Sequence, residues 1–96
     1  MSCITEQVYE ILRDAGVVTN IDTLSRWAGR CASYMRSIHS KQIGASTDAL
    51  LVLYFKLHEQ KNITNNQNHA AVVDDMQKLL WINIQSRVMR KLEAIQ

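Results

Sequence analysis

The chain contains no proline and only three glycines in 96 residues. A β-sandwich or barrel reverses direction often and needs many more turn formers, so this composition points to helices. The three glycines punctuate a helical pattern. Gly16, Gly29 and Gly44 each follow an amphipathic stretch, where the left-handed conformation after a helix favours glycine. The first stretch runs from about Thr5 to Ala15, with Ile4, Val8, Ile11, Leu12 and Ala15 at helical spacing. The second follows Asn20, a good N-cap, carries Asp22 in its first turn and ends before Gly29. The third covers roughly Ala32 to Gln42, with Met35 and Ile38 on one side. The fourth follows Ser46, a second plausible N-cap, with Asp48 in its first turn. Its Leu50, Leu51, Leu53, Tyr54 and Leu57 make it the most apolar helix and place it at the centre of the core.

Next comes an uncharged run, Asn62-Ile63-Thr64-Asn65-Asn66-Gln67-Asn68, which reads as a mobile connector because asparagine favours turns over helix. From about His69 to Ile95 the pattern is helical again, as one helix of about 25 residues and roughly 40 Å. The expected organisation is a core over residues 1–61, a polar connector over 62–68 and a C-terminal helix over 69–96. The longest apolar run, Ala49 to Phe55, is too short to span a bilayer, and the first residues do not read as a signal peptide. Cys3 and Cys31 make no disulfide framework, so a cytoplasmic protein with free thiols is expected.

Charge is unevenly distributed. The net charge is only +2, yet the 25 residues from Thr23 to Thr47 hold Arg26, Arg30, Arg36 and Lys41, with His39 beside them and no acid. The rest of the chain holds seven basic and nine acidic residues. A positive surface on two short helices and the turn between them suits a polyanion, of which DNA is the commonest. The spacing within this segment matches a helix-turn-helix: Ser25 and Ala28 are small where two helices would cross, Gly29 stands in the turn, and Met35 and Ile38 supply the inner face of the second helix.

The stretch Leu24-Ser25-Arg26-Trp27-Ala28-Gly29-Arg30-Cys31-Ala32-Ser33-Tyr34-Met35-Arg36-Ser37-Ile38 resembles the lambda-repressor/Cro (XRE) type, whose generic pattern LAKKLGVSRSYISQI it matches in length without a gap. The resemblance continues through Ser46-Thr47-Asp48-Ala49-Leu50-Leu51 and covers about Val8 to Leu57. Arg30, Ala28 and Ile21 depart from the family's usual valine, larger aliphatic residue and phosphate-touching glutamine, and two extra residues follow Gly16. The resemblance implies an all-α, five-helix lambda-repressor-like domain whose third helix enters the major groove of double-stranded DNA. It puts Ala32, Ser33 and Arg36, with Ser37 beside them, at base edges. It puts Arg26, Arg30, Tyr34, His39 and Lys41 at phosphates. Only Arg36 has the fork that reads guanine well.

Other residues fit blander roles. Trp27 is expected to pack over the small Ala28 or under the C-terminal helix, with a partner anchor as the alternative. Cys31 sits near a helix start and Arg30, which lowers a thiol pKa, yet a small residue in a turn accounts for it. His39, His58 and His69 have no zinc-site spacing. No nucleophile–base pair or phosphate loop is legible, so the expectation is no enzyme, no cofactor, no metal and no small-molecule ligand. The C-terminal helix carries Val73, Met76, Leu80, Ile84, Val88, Leu92 and Ile95 at spacings of three and four, widened by Val72, Leu79 and Trp81. So broad a stripe exceeds what one neighbour covers, and a homodimer interface through Val73, Met76, Leu80, Ile84, Val88 and Leu92 is expected. The reading is a small dimeric transcriptional regulator. The alternative is a protein-interaction module on the same scaffold, with Trp27 and the long helix as its binding surface.

Overall fold

The computed structural model describes residues 4–95, so Cys3 lies outside them. They form five helices and, among the described residues, no strand. These are α1 (Ile4–Asp14), α2 (Ile21–Trp27), α3 (Tyr34–Ser40), α4 (Thr47–Ile63) and α5 (Gln67–Ile95). No described helix is long and apolar enough to cross a membrane.

α4 and α5 form a long antiparallel hairpin. Tyr54 packs against Trp81 with ring centroids 5.6 Å apart, and Lys61 reaches Asp74 at 3.0 Å, so residues advance along one helix as they recede along the other. Leu50, Leu53 and Leu57 of α4 and Val73, Leu80 and Ile84 of α5 are buried between them and the shorter helices. Val8 and Leu12 of α1, Leu24 of α2, and Met35 and Ile38 of α3 close the same core. Gln77 is buried among them and donates to the Tyr54 carbonyl at 3.3 Å.

The connector is shorter than its composition suggests. Only residues 64–66 lie outside helices. Asn66 caps α5, its Oδ1 accepting from the Asn68 and His69 backbone N–H groups at 2.9 and 3.2 Å. The polar run is therefore a capped turn, and Asn62, Gln67 and Asn68 belong to helix ends.

Three helices end in the same two-bond motif, in which the third residue past the helix bonds back five positions and the second bonds back three. After α1, Val17 donates to Leu12 and Gly16 to Arg13; after α2, Arg30 donates to Ser25 and Gly29 to Arg26. After α3, Ile43 donates to Ile38 and Gln42 to His39. Gly16 and Gly29 hold the left-handed position, at φ 81° and 75°, but after α3 the residue there is Gln42, at φ 57°. Gly44, expected in that role, does not hold it.

Two halves of the α5 stripe have different fates. Val73, Met76, Leu80 and Ile84 are buried in the chain's own core, so the expected dimer interface does not include them. α1 and α4 together cover what one neighbour alone would not. Val88 and Leu92 stay exposed.

Candidate nucleic-acid interface

α2 begins where Asn20 stops the preceding loop. Its Oδ1 accepts from the Thr23 backbone N–H at 3.0 Å and from the Thr23 hydroxyl at 3.1 Å. α2 ends at Gly29, which is doubly required. Its φ is positive, and a Cβ there would meet Val52 of α4 at 3.1 Å. One buried side chain then sets α3 against α2. The Ser25 hydroxyl donates to the Ile21 carbonyl at 3.2 Å and accepts from the Met35 backbone N–H at 2.9 Å. Sequence reading gave Ser25 only the merit of being small; its hydroxyl is also the tie between the two helices.

The first turn of α3 is tight, with the Tyr34 N–H bonding to the Cys31 carbonyl at 3.0 Å, so Ala32 and Ser33 stand in the turn just before the helix. Met35 and Ile38 point into the core. Ser33, Arg36, Ser37 and Ser40 are exposed on the outward side, and Ala32 is half-buried beside them. No acidic residue lies on that side of α3 itself.

Acids do reach it from the flanks. The acid-free segment is bounded by Asp22 and Asp48, and both aspartates fold back onto its arginines. The Arg36 Nη2 donates to Asp22 Oδ2 at 3.0 Å and lies 2.9 Å from Oδ1, an ionic contact without hydrogen-bond alignment. Arg30 Nη2 donates to the Ser46 hydroxyl at 3.0 Å, lies 3.5 Å from Asp48 and stacks over the Tyr34 ring. The Tyr34 hydroxyl accepts from the Ser46 backbone N–H at 3.1 Å. Arg30 and Tyr34, expected at phosphates, are thus engaged in bracing the start of α4, where Ser46 in turn caps the helix through the Ala49 N–H.

His39, also expected at a phosphate, turns toward α1. Its Nε2 lies 2.8 Å from the Thr5 hydroxyl. Burial holds its pKa below the ordinary histidine value, with Glu6 pulling the other way, which disfavours the charged form that would pair with a phosphate. Arg26 and Lys41 are exposed, and neither makes an ion pair among the described residues. Cys31 is an exposed free thiol. The Ser33 hydroxyl, 3.6 Å from its sulfur, lowers its pKa, and backbone N–H groups of the same turn add to that.

Trp27 packs against α4 rather than under α5. With Arg26, Val52, Phe55, Lys56 and Glu59 it lines an open groove on the side of the α2–α4 contact. Sequence reading missed the two aspartate pairings. Each joins residues 14 or 18 positions apart, beyond any helical period. The position of an aspartate at either border of the basic segment was the available signal.

Residues 5–94 match the family of unknown function DUF6626, and the chain belongs to that family. No curated protein and no solved structure matches it.

Proposed function

We propose that this is a small sequence-specific DNA-binding regulator of helix-turn-helix type, resembling the lambda-repressor/Cro class, with α2 and α3 as the motif. One observation carries the reading. The side of α3 opposite the buried Met35 and Ile38 presents Ser33, Arg36, Ser37 and Ser40, a small polar ridge with one arginine and no acid. A helix with that ridge suits the major groove, where short polar side chains let the backbone approach and an arginine reads guanine.

In this reading Ala32, Ser33, Arg36 and Ser37 meet base edges. Asp22 binds Arg36 through Nη2 alone, so a two-bond contact to guanine uses the second Nη2 hydrogen together with Nε or Nη1. Arg26 and Lys41 meet phosphates. Arg30 and Tyr34 join them only by exchanging their bonds to Ser46, and His39 does not take part. The electrostatic share of binding is therefore modest, with two unpaired cations per α2–α3 unit.

A second reading, a protein-interaction module without DNA binding, is favoured by the groove beside Trp27, where Phe55 is 63% exposed. Fluorescence anisotropy with random duplex DNA separates the two. DNA binding predicts an affinity that falls with the logarithm of salt concentration, by about 0.9 log units per log unit of salt for each phosphate neutralised. Absence of binding at low salt leaves the protein-module reading. On a preferred site Arg36→Ala should cost about 1–3 kcal/mol and much less on random DNA. Lys41→Ala should weaken both alike and shallow the salt slope by about one. Equal losses for Arg36→Ala on both sequences would remove it from base reading.

A further inference from the structure

The basic side chains between Thr23 and Thr47 are not equally free. Arg26 and Lys41 are exposed and make no ion pair among the described residues, while Arg30 bonds to Ser46 and lies 3.5 Å from Asp48. Arg36 makes the closest ion pair, its Nη2 standing 2.9 and 3.0 Å from the two Asp22 oxygens. The pair sits in a fixed frame. The Ser25 hydroxyl bonds to the Ile21 carbonyl and to the Met35 N–H, and these two residues immediately precede Asp22 and Arg36. One buried group thus sets the backbone at both ends of the pair. Asp22 Oδ1 is covered from solvent and has no hydrogen-bond partner among the described residues, so the Arg36 guanidinium is what compensates its charge.

An ion pair this exposed adds little to stability, since the Arg36 side chain is 62% exposed and that of Asp22 38%. Its effect is on where the guanidinium sits and what attracts it. An unpaired arginine on a DNA-facing helix is drawn to phosphate, which every sequence offers and which carries no sequence information. Beside a carboxylate that pull is largely cancelled. The second Nη2 hydrogen and those on Nε and Nη1 remain for an acceptor edge, such as N7 and O6 of guanine. Given the DNA-binding reading above, on which this rests, we infer that Asp22 is a specificity-determining residue that positions Arg36 over the α3 ridge and reserves it for a base. Arg36 touches guanine, and Asp22 acts through Arg36. Arg26 and Lys41, which have no such carboxylate, are left to phosphates.

The test uses the full chain and a duplex library with a randomised core. Selection with wild type yields an enriched duplex. The guanine read by Arg36 is the one whose replacement weakens wild type but not Arg36→Ala. Anisotropy then compares the enriched duplex with the replaced one. Wild type should prefer the first by about 5- to 150-fold, the worth of one good bidentate contact. Asp22→Ala should shrink that ratio toward unity and bind random duplex more tightly, with a salt slope steeper by about 0.9 as the freed Arg36 neutralises a phosphate. Asp22→Asn keeps the shape of the side chain and should steepen the slope likewise. In an Arg36→Ala background Asp22→Ala should leave the slope unchanged, a coupling that the mere loss of an acid at a helix start would not produce. An unchanged ratio in Asp22→Ala, or equal steepening with and without Arg36, would overturn the inference and leave DNA binding standing. So would an enriched duplex in which no base depends on Arg36. A wild type that binds no library member at low salt would overturn the DNA-binding reading and this assignment with it.

Discussion

The α4–α5 hairpin and the α2–α3 pair are held together by different physics. The hairpin is long, and its helices bury leucine after leucine: Leu50, Leu53, Leu57 and Leu80 are fully enclosed. Area removed from water holds it, and no single bond decides its geometry. The α2–α3 pair has seven residues in each helix. Isolated helices so short do not persist in water. Their geometry depends on individual bonds: the Asn20 cap, the Ser25 tie, the left-handed Gly29 and the Tyr34 link to Ser46. The α2–α3 surface is fixed by directional contacts, and the body that carries it by non-directional ones.

Breaking each region should therefore look different. Leu53→Ala opens a cavity where α4 crosses the core, and the chain should lose about 2–5 kcal/mol of stability, read as a shift in the urea midpoint. All five helices should melt together. Ser25→Ala removes the acceptor of a buried N–H and should cost about 1–3 kcal/mol. Here the sharper readout is hydrogen exchange. Amides of α3 should exchange faster in the variant while those of α4 and α5 keep their relative protection, since the tie serves one local unit. Uniform acceleration across all helices would mean that the two regions do not differ in the way described.

Smaller effects sharpen the comparison. Gln42 holds a left-handed conformation that costs a residue with a Cβ about 1 kcal/mol, so Gln42→Gly should stabilise the chain by up to about 1 kcal/mol in thermal or chemical unfolding. Gly29→Ala, at the equivalent position after α2, should destabilise, because it adds the same strain and a close contact with Val52. The mildest effect concerns pH. His39 has a lowered pKa in the fold, so the unfolded chain takes up a proton first as pH falls. Its contribution is fully present above the ordinary histidine range, diminishes as pH falls through that range, and levels off below the folded pKa. His39→Gln should flatten that part of the stability profile.

What the sequence made legible follows the same division. The caps at Asn20 and Ser46, the turn at Gly29 and the buried faces of Val8, Leu12, Met35 and Ile38 are local patterns, and each stands in the structure where its spacing predicts. The α5 stripe was equally visible, but periodicity records that a face is apolar and not what covers it. The same spacing therefore concealed a boundary at Ile84 between a covered half and an exposed one. Pairings between distant residues were not legible at all. Arg36 with Asp22, Arg30 with Ser46 and Asp48, and His39 with Thr5 depend on how the helices meet, and they offset part of the positive charge concentrated between Thr23 and Thr47. The asparagine run misled in the other direction, because asparagine marks helix ends as well as loops, and Asn66 is a cap.

Amide chemical-shift mapping on the full chain shows most directly which face of the molecule meets DNA. A short random duplex, titrated at low salt into isotope-labelled protein, should shift Ala32, Ser33, Arg36, Ser37 and Lys41 together and should reverse as salt is raised. Trp27, Phe55 and the exposed half of α5 should stay in place. Shifts confined to the Trp27–Phe55 groove, or no shifts at all on the α3 face, would remove the α3 face as the DNA-binding surface.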